Sequence, residues 1–226
     1  MAYAGGITNN GTVFSIDTDD SRFRYLDFSG PVREPRGSLV LSSEGVLYGM
    51  STTGSGSYGQ GTIFSVDTDL AAYYVIGGFG GGLANPDGSL IIVNGVLYGM
   101  TQSGGGHTSS GGIFSIDTDG AGGVNIMHEF NGYVGYPTGD LTYSGGKLYG
   151  MTSGGSAGEI FSINIDGTGY TNLVGFGGTS GYAPYGNLTL IGNELYGMTS
   201  QGGIYYNGNI FRFTYYTPPP IAYYCH

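Results

Sequence analysis

Leu-Tyr-Gly-Met occurs four times, at Leu47–Met50, Leu97–Met100, Leu148–Met151 and Leu195–Met198, with starts 50, 51 and 47 residues apart. A string that returns at such a period restricts the chain to stacked copies of one supersecondary unit. Two further markers keep the same beat. One is the Phe of a Phe-Ser-Ile-like run, at Phe14, Phe64, Phe114, Phe161 and Phe211; the other is a Pro four residues before a Leu, at Pro35, Pro86, Pro137 and Pro184.

Each unit reads as four short strands, a to d. In the unit beginning at Ser38 they are 38–43, 46–51, 62–67 and 73–79. Strands a and b are joined by Glu44-Gly45, Asn94-Gly95, Gly145-Gly146 and Gly192-Asn193, pairs that suit the primed turns of tight hairpins. A longer polar loop, such as residues 101–112, joins b to c. Asp17-Thr18-Asp19, Asp67-Thr68-Asp69, Asp117-Thr118-Asp119 and Asn164-Ile165-Asp166 join c to d, as turn chemistry. A Gly/Pro linker then leads to the next strand a.

Four antiparallel strands per period of about 50 residues, without helical periodicity, predict an all-β β-propeller; a parallel β-helix is the competitor. The predicted blades are approximately 1–30 (incomplete), 38–79, 89–130, 139–176 and 187–226, within a single repeat domain. The favoured count is five blades with an incomplete first one. A four-bladed ring with extra terminal strands, or an open edge completed by a neighbour, are the alternatives. The glycine excess, 48 of 226 residues, goes to turns, and 21 Tyr with 11 Phe supply the area for a core.

The order Leu-Tyr-Gly-Met-Thr, Ser-Gly-Gly, Gly-x-Ile-Phe-Ser-Ile, Phe-x-Gly and Pro-x-Gly-x-Leu resembles the bacterial GloVer-type tandem repeat, written Leu-Tyr-Gly-Thr-Thr and Gly-Tyr-Gly-Thr-Val-Phe-Lys-Ile. The resemblance runs from Met1 to Phe211, and the strand order is similar to that of NHL-type propeller blades. Ser15, Ser65, Ser115 and Ser162 stand where the family has Lys, and Met stands at its first Thr. What the resemblance implies is a propeller exposed outside the cell, extracellular or at the cell surface. It brings no shared catalytic residues.

Charge and cysteine narrow the partners. Six basic against 16 acidic residues, a net charge of −10, argue against nucleic acid. Arg22, Arg24, Arg33 and Arg36 cluster near the N-terminus as a solvated edge. The one cysteine, Cys225, allows no intrachain disulfide. No window approaches eighteen apolar residues, and Met1-Ala-Tyr-Ala-Gly-Gly is not a signal peptide.

Reactive constellations are weak. Asp117 and Asp119, before Gly120, offer hard oxygen ligands for calcium, but Ca²⁺ takes six to eight oxygens and a plain turn is the simpler reading. No other cofactor is expected. His107, His128 and His226 have no metal spacing. Tyr48, Tyr98, Tyr149 and Tyr196, in strand b, are expected to pack between blades. Loop and linker residues Tyr58, His107, Tyr133, Tyr136, Tyr182, Tyr185, Tyr205 and Tyr206 are the candidate ligand contacts, because exposed rings amid polar groups stack on sugars or proteins. Tyr215, Tyr216, Tyr223 and Tyr224 flank Pro218-Pro-Pro220 and are candidates for assembly. The expectation is a non-enzymatic propeller that binds a glycan or a protein. The alternative is a structural subunit that assembles with copies of itself by strand completion through its termini.

Overall fold

A computed structural model of the chain describes residues 1–19, 21–54, 59–80, 82–104, 110–132, 134–155 and 157–214. The described strands form five antiparallel sheets in chain order. The first pairs β1 (Thr12–Ile16) with β2 (Phe23–Asp27). The second runs β3 (Arg33–Leu41), β4 (Val46–Thr53), β5 (Thr62–Asp67) and β6 (Tyr73–Gly78). In the third, β7 (Leu83–Pro86) and β8 (Ile91–Val93) both pair with β9 (Val96–Gly104), followed by β10 (Gly112–Asp117) and β11 (Asn125–Glu129). The fourth is β12 (Pro137–Ser144), β13 (Lys147–Thr152), β14 (Glu159–Asn164) and β15 (Thr171–Gly175). The fifth is β16 (Tyr182–Ile191), β17 (Glu194–Gln201) and β18 (Asn209–Thr214). Among the described residues this is a β-propeller arrangement of five blades, the first with strands c and d and a single bridge, Ala2 to Thr12, beside them, and the fifth with strands a to c. The expected last strand d, with Tyr215, Tyr216, Tyr223 and Tyr224, lies outside the described residues.

Local chemistry accounts for the repeat. In each Leu-Tyr-Gly-Met, the Gly sits opposite the strand-c Phe: Gly49 on Phe64, Gly99 on Phe114, Gly150 on Phe161, Gly197 on Phe211. The ring lies over the glycine, so a Cβ there would strike it, and the two markers recur together because each requires the other. Asn94-Gly95 and Gly145-Gly146 turn with φ positive at both residues, as primed turns require. Glu44-Gly45 differs: only Gly45 is at positive φ, and its N–H donates to the carbonyl of Ser42.

The segment expected as a Gly/Pro linker is instead the first half of strand a, as β3 shows by beginning at Arg33. The residue before each Pro is left-handed, with φ of 56° at Glu34, 52° at Asn85, 56° at Tyr136 and 48° at Ala183. Its N–H donates at 2.9 Å to the preceding blade, onto Asn10, Gln60, Ser110 and Ala157 carbonyls. Those bonds hold an unusual backbone in place and tie consecutive blades together.

The core is a series of blade-to-blade interfaces. Tyr48, Met50, Ile63 and Phe79 of the second blade meet Leu90, Leu97, Phe114 and Ile116 of the third. The pattern repeats between third and fourth, with Tyr98, Met100, Ile113 and Phe130 against Leu141, Leu148, Phe161 and Ile163. Similar clusters join first to second and fourth to fifth. Tyr48, Tyr98 and Tyr149 are buried in these seams, as expected for strand b, whereas Tyr196, on the fifth blade, is only half-buried and its hydroxyl donates to Glu194.

Candidate functional site

Strand a carries a bulge in the second, fourth and fifth blades, and in the third it is interrupted at the same place, between β7 and β8. Arg36 pairs with Met50 and Val40 with Tyr48, so four steps on β3 cover two on β4; Thr138/Thr142 and Tyr185/Thr189 repeat it. The displaced residues are the Gly-x of Pro-x-Gly-x-Leu, and they link the blades in sequence. Ser38 N–H donates to Ser89 Oγ (2.8 Å), Ser89 N–H to Asp140 Oδ1 (2.6 Å), and Asp140 N–H to Asn187 Oδ1 (2.8 Å). Asn187 Nδ2 returns a bond to Asp140 Oδ2 at 2.8 Å. The glycines allow the close approach: a Cβ on Gly37 would fall on the Gly88 carbonyl, one on Gly88 on that of Gly139, and one on Gly139 on that of Gly186.

Above this ladder lies a cleft of about 310 Å³ lined by Ser38, Asp87, Ser89, Gln102, Asp140, Tyr185 and Asn187. A second cleft of about 210 Å³ shares Asp87 and Gln102 with it and adds Glu34, Arg36, Thr52 and Asn85. Arg36 is anchored by Asp87 at 3.9 Å and lies over the Tyr3 ring, 5.1 Å from its centre. The result is a polar trough along the inner strands, rich in hydrogen-bond acceptors, with one aromatic ring. That ring, Tyr185, is 72% exposed.

The expected ligand residues separate. Tyr185 lines the trough, but on β16 rather than on a linker, and Tyr182 is half-buried on the same strand. Tyr136 is exposed just before β12, while Tyr205 and Tyr206 project from the loop between β17 and β18. Tyr58, His107 and Tyr133 lie outside the described residues. Asp117 lines another cleft, of about 350 Å³, at the c-to-d turns, together with Asp166. Alternating strand direction puts these turns at the opposite end of the blades from the b-to-c loops. Asp119 Oδ1 accepts the Ala121 N–H at 2.8 Å, and Asp19, Asp69 and Asp166 bond likewise two residues on. Bonds from the Thr168 hydroxyl and N–H hold the Asp166 carboxyl below its usual range. Among the described residues, no three of His, Cys, Asp and Glu come together as a metal group.

One buried cluster departs from the repeat. Glu159 occupies the position of Thr62 and Gly112 and is 3% exposed. It accepts hydrogen bonds from the Tyr170 hydroxyl and the Asn172 amide. Tyr170 stacks on His128 with ring centres 3.8 Å apart and planes 5° off parallel. Burial pushes the Glu159 carboxyl up and the His128 imidazole down. A carboxyl raised in the folded state stabilises fully below its unfolded value, near 4.5, and that stability is lost as pH rises through the folded value. His128 works oppositely, with stability lost as pH falls below its ordinary 6.5. Glu159→Gln is expected to remove the downward slope of melting temperature as pH rises above about 4.5, with His128 common to both proteins. An unchanged slope in the variant would show that Glu159 does not carry it.

Asp87, Gln102, Asp140, Asn187 and Glu159 are absent from the sequence-based candidates. The sign was there for two of them: the second x of Pro-x-Gly-x-Leu is polar in all four copies, as Ser38, Ser89, Asp140 and Asn187.

A family model described as the Gloeobacter/Verrucomicrobia repeat matches residues 1–158. No curated protein matches the chain. Among solved structures, a nidogen/laminin complex aligns at 19% identity and TM-score 0.55 over 84% of this chain and 64% of its own. TolB from Acinetobacter baumannii aligns at 15% and 0.54 over 90% and 46%. A gluconolactonase from Xanthomonas campestris aligns at 16% and 0.55 over 85% and 63%. Identities this low speak for the propeller fold alone, and the chain spans about half to two thirds of the length of these structures.

Proposed function

We propose, because the chain belongs to the Gloeobacter/Verrucomicrobia repeat family and folds as a β-propeller, that it is a non-enzymatic binding module acting outside the cell. Its ligand is a polyhydroxylated one, a glycan, held in the trough on the inner strands. The observation that carries this is the composition of the trough: Asp87 and Gln102 supply acceptors and a donor for hydroxyls, and the Tyr185 ring offers an apolar face beside them. A binding role is favoured over acid–base catalysis because both Asp140 oxygens already accept hydrogen bonds, from Ser89 and Asn187. Both bonds tie blade to blade.

The test is a glycan array followed by calorimetry on the best hit. Tyr185→Ala is expected to weaken binding about tenfold, a loss of roughly 1.4 kcal/mol, and to leave the melting temperature within about 2 °C because the ring is exposed. A blank array, with a protein ligand recovered instead, would replace the glycan by a protein surface. Turnover of a lactone that depends on Asp87 would overturn the non-enzymatic reading, and a gluconolactonase among the fold relatives makes that assay worth running.

A further inference from the structure

The two end faces of the described blades are the two halves of their own internal interface. At the two middle seams the leading blade presents a Tyr and a Met from strand b and an Ile from strand c, and the following blade a Phe and an Ile from strand c; Val13 against Phe64 and Val66, and Tyr149, Met151 and Ile160 against Phe211 and Phe213, are the corresponding sets at the first and last seams. Ile63, Ile113 and Ile160 are fully buried there, while Ile210, the same position on the fifth blade, is 82% exposed, and Met198 beside it is exposed too. The other half is open on the first blade. Phe14 and Ile16 are exposed, although their counterparts Phe64 and Val66, Phe114 and Ile116, and Phe161 and Ile163 are all buried. Phe23 and Tyr25 of β2 extend this apolar face, with Phe14 and Phe23 rings 6.0 Å apart.

We propose that the fifth-blade face of one molecule docks on the first-blade face of a second copy of this chain, so that copies join head to tail. The occupant is argued from continuity with the internal interface: the groups open at one end are the repeat-equivalents of those that cover the other end's counterparts inside. An unlike pairing is heterologous, and it produces a closed ring of copies if the rotation closes and a filament if it does not. The contact joins sheet faces and is distinct from strand addition at an edge. It does not depend on the trough.

The experiment is sedimentation of the full chain from micromolar to hundreds of micromolar, beside Phe14→Asp and Ile210→Asp. The wild type is expected to exceed its single-chain mass of 23.4 kDa as concentration rises, and each variant alone to stay at that mass. Mixed in equal amounts, the two variants retain one intact face each and are expected to form a complex of two chains that grows no further. Both side chains are exposed, and the mixed complex itself shows that both variants fold. Wild type that stays at single-chain mass throughout overturns the proposal. So do variants that still assemble alone, or a mixture that remains uncombined.

Discussion

Phe114→Ala is expected to cost about 3–5 kcal/mol of stability, whereas Phe14→Ala, at the same point of its own repeat, costs about 1 kcal/mol or less. Phe114 is fully buried, packs edge-on against Phe79 of the preceding blade with ring centres 5.0 Å apart, and covers Gly99. Truncation removes the ring's transfer free energy and leaves a cavity beside a glycine that cannot fill it. Phe14 is 45% exposed, so nearly half of the burial that Phe114 has is not there to lose. In melting temperature the first change corresponds to a drop of about 6–20 °C for a chain of this size. Thermal melts of dilute protein, where association does not contribute, separate the two. Equal losses would mean that the first blade is covered within one molecule, against the open face of Phe14 and Ile16.

Gly139→Ala is expected to cost about 2–5 kcal/mol, and Gly186→Ala only about 1–2 kcal/mol. Both glycines are left-handed, at φ 72° and 83°, so both substitutions carry the strain of an L residue there. At Gly139 the added Cβ also falls on the Gly186 carbonyl and presses on Asn187 Oδ1, which accepts the Asp140 N–H. Separating the two strands to make room also breaks the side-chain ladder. At Gly186 an added Cβ would meet nothing within 4 Å. Urea unfolding with equal m-values measures the difference. If the two variants lose the same stability, the inner strands are not packed glycine against glycine.

These two pairs also show where reading the sequence succeeds. Phe14 and Phe114 look alike in sequence because the repeat is local: strand alternation, the turn at Asn94-Gly95 and the Gly–Phe pairing across strands b and c are set within one blade. The trough is less legible. Asp87, between β7 and β8, and Gln102, on β9, lie 15 residues apart, and Asp140 comes from the next blade. Only the bulge in strand a, which turns the Gly-x pair toward the neighbouring blade, brings them to one cleft. Glu159 could be singled out as a departure from the repeat, but its partners Tyr170 and Asn172 come from strand d and the turn before it.

By itself the sequence determined the period, the four-strand unit, the propeller class and the family, because each rests on contacts between residues close along the chain or on the repetition of one pattern. Tertiary structure decided which copies of that pattern are covered. Phe14 and Ile210 carry the same side chains as their buried counterparts, and burial depends on whether another blade stands against them. It also decided that strand a begins before its Pro, since the left-handed residue there is held by carbonyls of the preceding blade. A repeat specifies its unit locally; its surfaces and its site belong to the stack.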